Sequence, residues 1–294
     1  MPSFLAIGLG EILWDVLPDC RKLGGAPANF AYQINELGGI GIPISRVGDD
    51  DLGREALDQL VQHGLNIDAV SIDPMHPTGT VDALVDKHGV ATYVFPDDVA
   101  WDFLDLDDSA LALASKAHAI CFGSLAQRCD ISRKAIHAFL KAAPDALKIY
   151  DINLRQNFYS QEVIQASLDL ADVLKINDDE LELVSDMFSL PQGERAALDA
   201  LMAAHNLRLA VLTRGSRGSL IVSQDHFSDL SGQPTGVVDT IGAGDSFTAA
   251  MVLAYLHGQP LDEINHYASK VAAYVCGQAG AMPEMPVELK VGSE

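Results

Sequence analysis

Basic residues are scarce in this chain: 19 lysines and arginines stand against 41 aspartates and glutamates, a formal net charge of -22 over 294 residues. A field of that sign repels nucleic-acid phosphates, and no cluster of cations offsets it locally, so nucleic-acid partners are excluded. Long apolar runs are missing as well. None reaches membrane-spanning length, and Phe4-Leu5-Ala6-Ile7 is too short and lacks the basic leader of a signal peptide. No membrane partner is expected, and the cytoplasm is the expected compartment. Cysteine is sparse. Cys20, Cys121, Cys129 and Cys276 have no paired metal-ligand spacing, which argues for reduced thiols and against a zinc site. Two nucleotide fingerprints are absent too: Gly8-Leu9-Gly10 lacks the third glycine of a dinucleotide loop, and neither GxxxxGKS nor GxxxxGKT occurs. The dehydrogenase and P-loop readings lose their main support.

What is present suits one large α/β unit, 1–294, with 48% hydrophobic residues to fill its core. Short β-branched runs (Phe4–Gly8, Pro43–Val47, Ala69–Ile72, Ala119–Phe122, Leu147–Ile152, Val173–Ile176, Leu209–Thr213) alternate with helical periodicities beginning near Ala28, Leu52, Ser132, Val163 and Asp179. That alternation predicts a mostly parallel central sheet flanked by helices. Thr80–Asp86 and Ala91–Phe95 break the rhythm, with Lys87-His88-Gly89 reading as a hairpin turn between them. With Glu11–Leu17 they predict a small antiparallel β lid, formed by about 11–18 and 79–96, over the carboxyl ends of the main strands. Bare lid edges are of the kind a second copy covers, so a homodimer through the lid is one expectation.

The strongest chemical signal is Asp239-Thr240-Ile241-Gly242-Ala243-Gly244-Asp245, running into the apolar helical stretch Ser246–Met251. Glycines admit a ligand close to the backbone, and a helix start presents unpaired amides at its partly positive end. Such a turn cradles an anion such as phosphate. Asp245 fits two roles there, a helix cap or a base taking a proton from an attacking hydroxyl. A second glycine loop, Leu23-Gly24-Gly25-Ala26-Pro27-Ala28-Asn29, opens the first long helix. Alone it is either loop punctuation or a binding loop.

Together the two loops resemble the signature regions of the ribokinase-like (PfkB) carbohydrate kinases. The similarity runs over essentially the whole chain, through Gly10-Glu11 with Asp15, Val47-Gly48-Asp49-Asp50-Asp51-Leu52-Gly53, Asp151-Ile152-Asn153-Leu154-Arg155, Asn177-Asp178-Asp179-Glu180 and Thr213-Arg214-Gly215. It implies the ribokinase-like fold and ATP-dependent transfer of a phosphoryl group to a sugar hydroxyl. Asp15, Gly25 and Asn29 then match the family's sugar-gripping positions, and Asp245 its catalytic base. Gly242, Ala243 and Gly244, with the amide of Asp245, match the anion hole, whose donors meet the charge that develops in the transition state. Arg155 matches a phosphate or substrate contact, and its own chemistry equally allows a salt bridge on an acidic surface.

For the nucleotide, the resemblance implies Asn177, Glu180, Thr213, Gly215 and Gly218, with Gly242 and Gly244 at the phosphates and Asn265 or Ala268 near adenine. Asn177 and Glu180 also have the spacing of a capping box. Mg²⁺ would be held by Glu180 through water, in keeping with that ion's reluctance to dehydrate. Asp239 matches a monovalent-cation position, usually K⁺, and is otherwise a turn carboxylate. Its far end departs from ribokinases, with Met282-Pro283-Glu284 in place of a serine hydroxyl.

The stretches Gly10-Glu11-Ile12-Leu13-Trp14-Asp15, Gly24–Asn29 and Phe122-Gly123-Ser124-Leu125 look most like fructokinases. The expected small-molecule partners are therefore fructose and ATP. Phe95, Trp101 and Phe103 are candidate pocket aromatics. The competing expectations are a kinase for ribose or 2-keto-3-deoxygluconate, and a non-catalytic sugar- or nucleotide-binding regulator on the same fold.

Overall fold

The computed structural model describes residues 3–16, 19–85, 91–232 and 236–291. Its strands are β1 (Leu5–Leu9), β2 (Leu13–Val16), β3 (Arg21–Gly24), β4 (Ile40–Gly48), β5 (Val70–Asp73), β6 (Gly79–Val85), β7 (Ala91–Val94), β8 (Ala119–Phe122), β9 (Leu147–Asp151), β10 (Val173–Asn177), β11 (Leu209–Thr213), β12 (Gly218–Ser223) and β13 (Phe227–Ser231). Its helices are α1 (Ala26–Glu36), α2 (Asp51–Gln62), α3 (Asp108–Ala114), α4 (Asp130–Ala142), α5 (Gln161–Leu168), α6 (Asp178–Phe188), α7 (Glu194–His205), α8 (Ala243–Leu256) and α9 (Leu261–Cys276). Among the described residues no helix is long and apolar enough to cross a membrane.

Nine strands form the main sheet in the order β13-β12-β11-β10-β9-β8-β1-β4-β5. Its ladders are parallel from β5 across to β11, and β12 and β13 close one edge antiparallel. Strands alternate their side chains between faces, and here both faces are apolar because both are covered. Ile7, Ile120, Phe122, Tyr150, Leu174 and Leu212 join one core with Ile136 of α4, Ile164 of α5, Leu181 of α6 and Leu198 of α7. Their neighbours Ala6, Ala119, Cys121, Ile149, Val173 and Val211 join the opposite core with Phe30 of α1, Met251 of α8 and Val271 of α9. The chain runs outward from β1 to β4 and β5, then returns to β8 on β1's other side and continues the opposite way. Such a switch of direction leaves a crevice at the carboxyl ends of the strands.

A second sheet, β3-β2-β6-β7, stands over that crevice. Its outer ladders are antiparallel, while β2 and β6 run parallel in the middle. Strand β3 was not foreseen, because Arg21-Lys22-Leu23 reads as polar loop. The expected turn Lys87-His88-Gly89 lies outside the described residues, as do positions 17 and 18. Trp14 anchors this sheet to the body: its ring is fully buried and its indole Nε1 donates to Leu52 O of α2 at 3.0 Å.

Candidate active site

A cavity of about 440 Å³ opens between the small sheet and the carboxyl ends of β1, β8 and β9. It gathers residues distant in sequence: Glu11, Asp15, Gly25, Asn29, Asp151, Asn153, Arg155, Gly242, Gly244 and Asp245 all line it. The predicted sugar-binding positions and the Gly242–Asp245 turn therefore share one space.

The turn is shaped by its glycines. Gly242 sits at φ 76°, the left-handed region, as the residue before α8, and a Cβ there would approach Ala281 to 2.7 Å. A side chain is thus excluded on two counts, conformational and steric. α8 starts at Ala243 with Asp245 in its first turn, and Gly242, Gly244 and Asp245 of this partly positive end line the cavity, while the Ala243 amide donates to Thr240 O. Beneath it, Lys175 reaches up from β10: a Cβ on Gly244 would stand 3.1 Å from its Nζ.

Asp245 lies in the first turn of α8, after the N-cap residue Gly242. Its carboxylate accepts a 2.8 Å hydrogen bond from Asn29 Nδ2, which ties the base candidate to the Leu23–Asn29 loop. Burial, then the nearby Asp151 carboxylate, pushes the Asp245 pKa up to about 6; Asn29, Lys175 and Arg155 restrain the rise. Asp151 and Lys175 form a buried ion pair at 2.9 Å, directly opposite one another across the β9–β10 ladder. Thr248 Oγ1 completes it by donating to Asp151 Oδ2 at 2.9 Å. Burial alone would lower the Lys175 pKa, but Asp151 and Glu180 outweigh it and hold the ammonium above its ordinary value.

At the other end, Leu13 and Asp15 point into the cavity from the same face of β2, with Val81 of β6 and Tyr93 of β7 beside them. Burial raises the Asp15 pKa against Arg155 and Lys22. Lys22, opposite Asp15 in register, also lies 3.4 Å from Asp239 Oδ2 and so ties the small sheet to the glycine turn. Arg155 is exposed and makes no ion pair among the described residues; its Nη1 donates only to Leu154 O at 3.1 Å. Of the proposed aromatics, Phe95 lines the cavity, Trp101 is core and Phe103 stacks on His76.

Several expected nucleotide residues lie elsewhere. Asn177 and Glu180 form a complete capping box on α6: Asn177 Oδ1 accepts from Glu180 N at 2.8 Å, and Glu180 Oε2 accepts from Asn177 N at 3.0 Å. Glu180 Oε1 takes the Leu154 amide at 2.9 Å. Thr213 ends β11, Gly215 lies in the turn after it and Gly218 opens β12, all outside the cavity lining. Asn265 lies inside the fold. It is 0% exposed, and its amide is spent on Ser219 and Ser228, sewing β12 and β13 to α9. Ala268 is equally buried. Asp239 serves its turn: Oδ1 accepts from Ile241 N at 3.0 Å and Oδ2 from Gly280 N at 3.1 Å. Burial would raise its pKa, but those amides and Lys22 hold it below the usual range.

Three charged wall residues, and Lys175 behind the wall, went unassigned in the sequence. Glu11, Lys22 and Asp151 lie in or beside blocks already singled out, so their proximity to the motifs was the available signal. Lys175 sits at the centre of β10 in an otherwise mostly apolar run; a lysine there signals a buried partner.

Comparison with known proteins converges on the same chemistry. The description "pfkB family carbohydrate kinase" matches residues 21–288. The fructokinase of Klebsiella pneumoniae is 30% identical over 298 residues, covering 95% of both chains. A probable fructokinase of Arabidopsis thaliana is 30% identical, covering 96% of this chain and 94% of its own. Among solved structures, the fructokinase of Vibrio cholerae O395 bound to fructose, ADP and calcium superposes with a TM-score of 0.81 at 26% identity, covering 97% and 96% of the two chains. An uncharacterized sugar kinase of Pyrococcus horikoshii in complex with ATP gives 0.80 at 25% identity, covering 95% and 94%.

Proposed function

The chain belongs to the pfkB family of carbohydrate kinases and is a sugar phosphotransferase; we propose that it carries the γ-phosphate of ATP to a hydroxyl of fructose, with Asp245 as base. One observation carries this proposal: the Asp245 carboxylate lines the cavity at the head of α8, held by Asn29 rather than by its own helix. With a pKa of about 6 it is mostly ionised at neutral pH yet basic enough to accept a proton.

Asp245 takes the hydroxyl proton as the sugar oxygen bonds to the γ-phosphorus. The bond to the bridging oxygen breaks, and ADP leaves with the electron pair. Amides of Gly242, Gly244 and Asp245 would face the developing charge; that of Ala243, the fourth matched position, already donates to Thr240 O at 3.3 Å, and Lys175 beneath them is paired with Asp151. Arg155, free of any carboxylate partner among the described residues, is placed to contact phosphate or sugar.

Fructose is favoured over a sugar acid by the charge of the cavity. Glu11, Asp15 and Asp245 crowd the sugar end, and a substrate carboxylate such as that of 2-keto-3-deoxygluconate would meet like charge there. The names of the relatives point the same way. ATP as donor rests on the family resemblance and on the ATP-bound relative, with Thr213, Gly215 and Gly218 as the loop beneath it. Mg²⁺ fits only with its water shell in place, because both Glu180 oxygens already hold backbone amides. Once bound, it would neutralise charge on the phosphate oxygens.

The test is ADP release from ATP against fructose, ribose, glucose, adenosine and 2-keto-3-deoxygluconate. Fructose should give the highest kcat/KM. Preference for another acceptor would move the substrate, and no stimulation by any acceptor would overturn the proposed reaction.

A further inference from the structure

Glu11 follows β1 and opens toward the cavity, and nothing so far explains it. The residue is 6% exposed, and its Oε2 has no hydrogen-bond partner. Buried polar atoms are nearly always paired, and an orphaned one at a cavity wall marks a place where something else supplies the partner. The position is tightly fixed. Gly25 leaves no room beyond it: a Cβ there would come within 2.4 Å of Glu11 O. Arg155 and Asp245 face the carboxyl closely enough to act on its charge. Burial pushes its pKa up to about 7 despite the pull of nearby amides and Arg155, so the group is poorly satisfied as the fold stands.

We propose that Glu11 is a sugar-binding residue: its unpaired carboxyl oxygen takes a hydroxyl of the acceptor, opposite the grip of Asp15 and beside the base. This rests on the sugar-kinase reading above. The shared cavity supplies the geometry, since Glu11, Asp15, Asn29 and Asp245 surround one volume and come from four different segments. A polyol with hydroxyls on several faces suits such a ring of acceptors, and a site built for a hydroxyl rejects the analogue that lacks it. A bare cap on α1 is the competing role, because the Ala26 amide also reaches the carboxyl. It accounts for one oxygen and leaves the other stranded.

The experiment compares wild type, Glu11→Gln and Glu11→Leu in the full chain. Steady-state KM values are measured for fructose and for ATP, and binding is measured for a series of monodeoxyfructoses. Glu11→Leu should raise the fructose KM about tenfold or more while leaving the ATP KM within about twofold. One deoxy analogue should bind wild type about tenfold more weakly than fructose but bind Glu11→Leu as well as fructose does. Glu11→Gln, which keeps an oxygen and adds donors, should fall between. An unchanged fructose KM overturns the proposal, and so does an analogue penalty equal in wild type and variant. Should Glu11→Leu fail to fold, the same analogue comparison in Glu11→Gln decides: a penalty as large as in wild type overturns the contact. A wild type that phosphorylates no sugar overturns the sugar-kinase reading itself, and this inference with it.

Discussion

Asn29 and Lys175 tune Asp245 from opposite sides, one by a hydrogen bond and one by charge, and both lower its pKa. Asn29→Ala removes the bond, so the carboxyl should titrate higher. A base works only when ionised, and the acid limb of kcat/KM should therefore move upward in pH by about one unit. A pH–rate profile checks this, and a shift downward would contradict it. Lys175→Met strands Asp151 in the core, where Thr248 is then its remaining hydrogen-bond donor. Losing one partner of a buried pair costs about 3–5 kcal/mol, which urea unfolding should register as a lower midpoint. Residues of this kind show where sequence reasoning stops. Asp245, Asn29 and Asp15 were legible because a motif named them, whereas Lys175 needed the strand register that sets it opposite Asp151. Asn265 is the complementary case: polarity in a helical stretch says nothing about whether a serine hydroxyl awaits it inside.

Helix α8 gathers the anion-facing amides, and its start depends on Gly242. Gly242→Ala would force a left-handed side-chain residue against Ala281. The turn should distort, lowering stability by about 1–3 kcal/mol and kcat by about tenfold or more. Thermal unfolding and initial rates measure both, and unchanged values in each would remove the special role given to this turn. The elements themselves were mostly readable, because parallel strands covered on both faces are short apolar runs between helices. What escaped was the edge. β12 and β13 pair antiparallel beyond β11, and β3 joins the small sheet through backbone bonds that polar side chains conceal. The box at Asn177 and Glu180 was read both as cap and as ligand set; the cap is formed through Glu180 Oε2, while Oε1 accepts the Leu154 amide.

Taken whole, the molecule carries a net charge of -22, which opposes the approach of any nucleotide. Local amides and a few cations act against that field at short range, while salt screens it at long range. With Mg²⁺ held in excess, raising salt from about 0.01 to 0.15 M should increase kcat/KM for ATP by about threefold. A decrease would mean that local positive charge dominates the encounter. Charge of this size was plain from composition, yet its consequence depended on the cavity, where acidic walls meet Arg155 and the head of α8. The decisive measurement is fructose-dependent ADP release by Asp245→Asn, with ATP binding titrated in parallel. Asparagine keeps the shape and cannot accept the proton, so turnover should fall about a thousandfold while ATP affinity stays within about threefold. Turnover near that of wild type would place the base elsewhere.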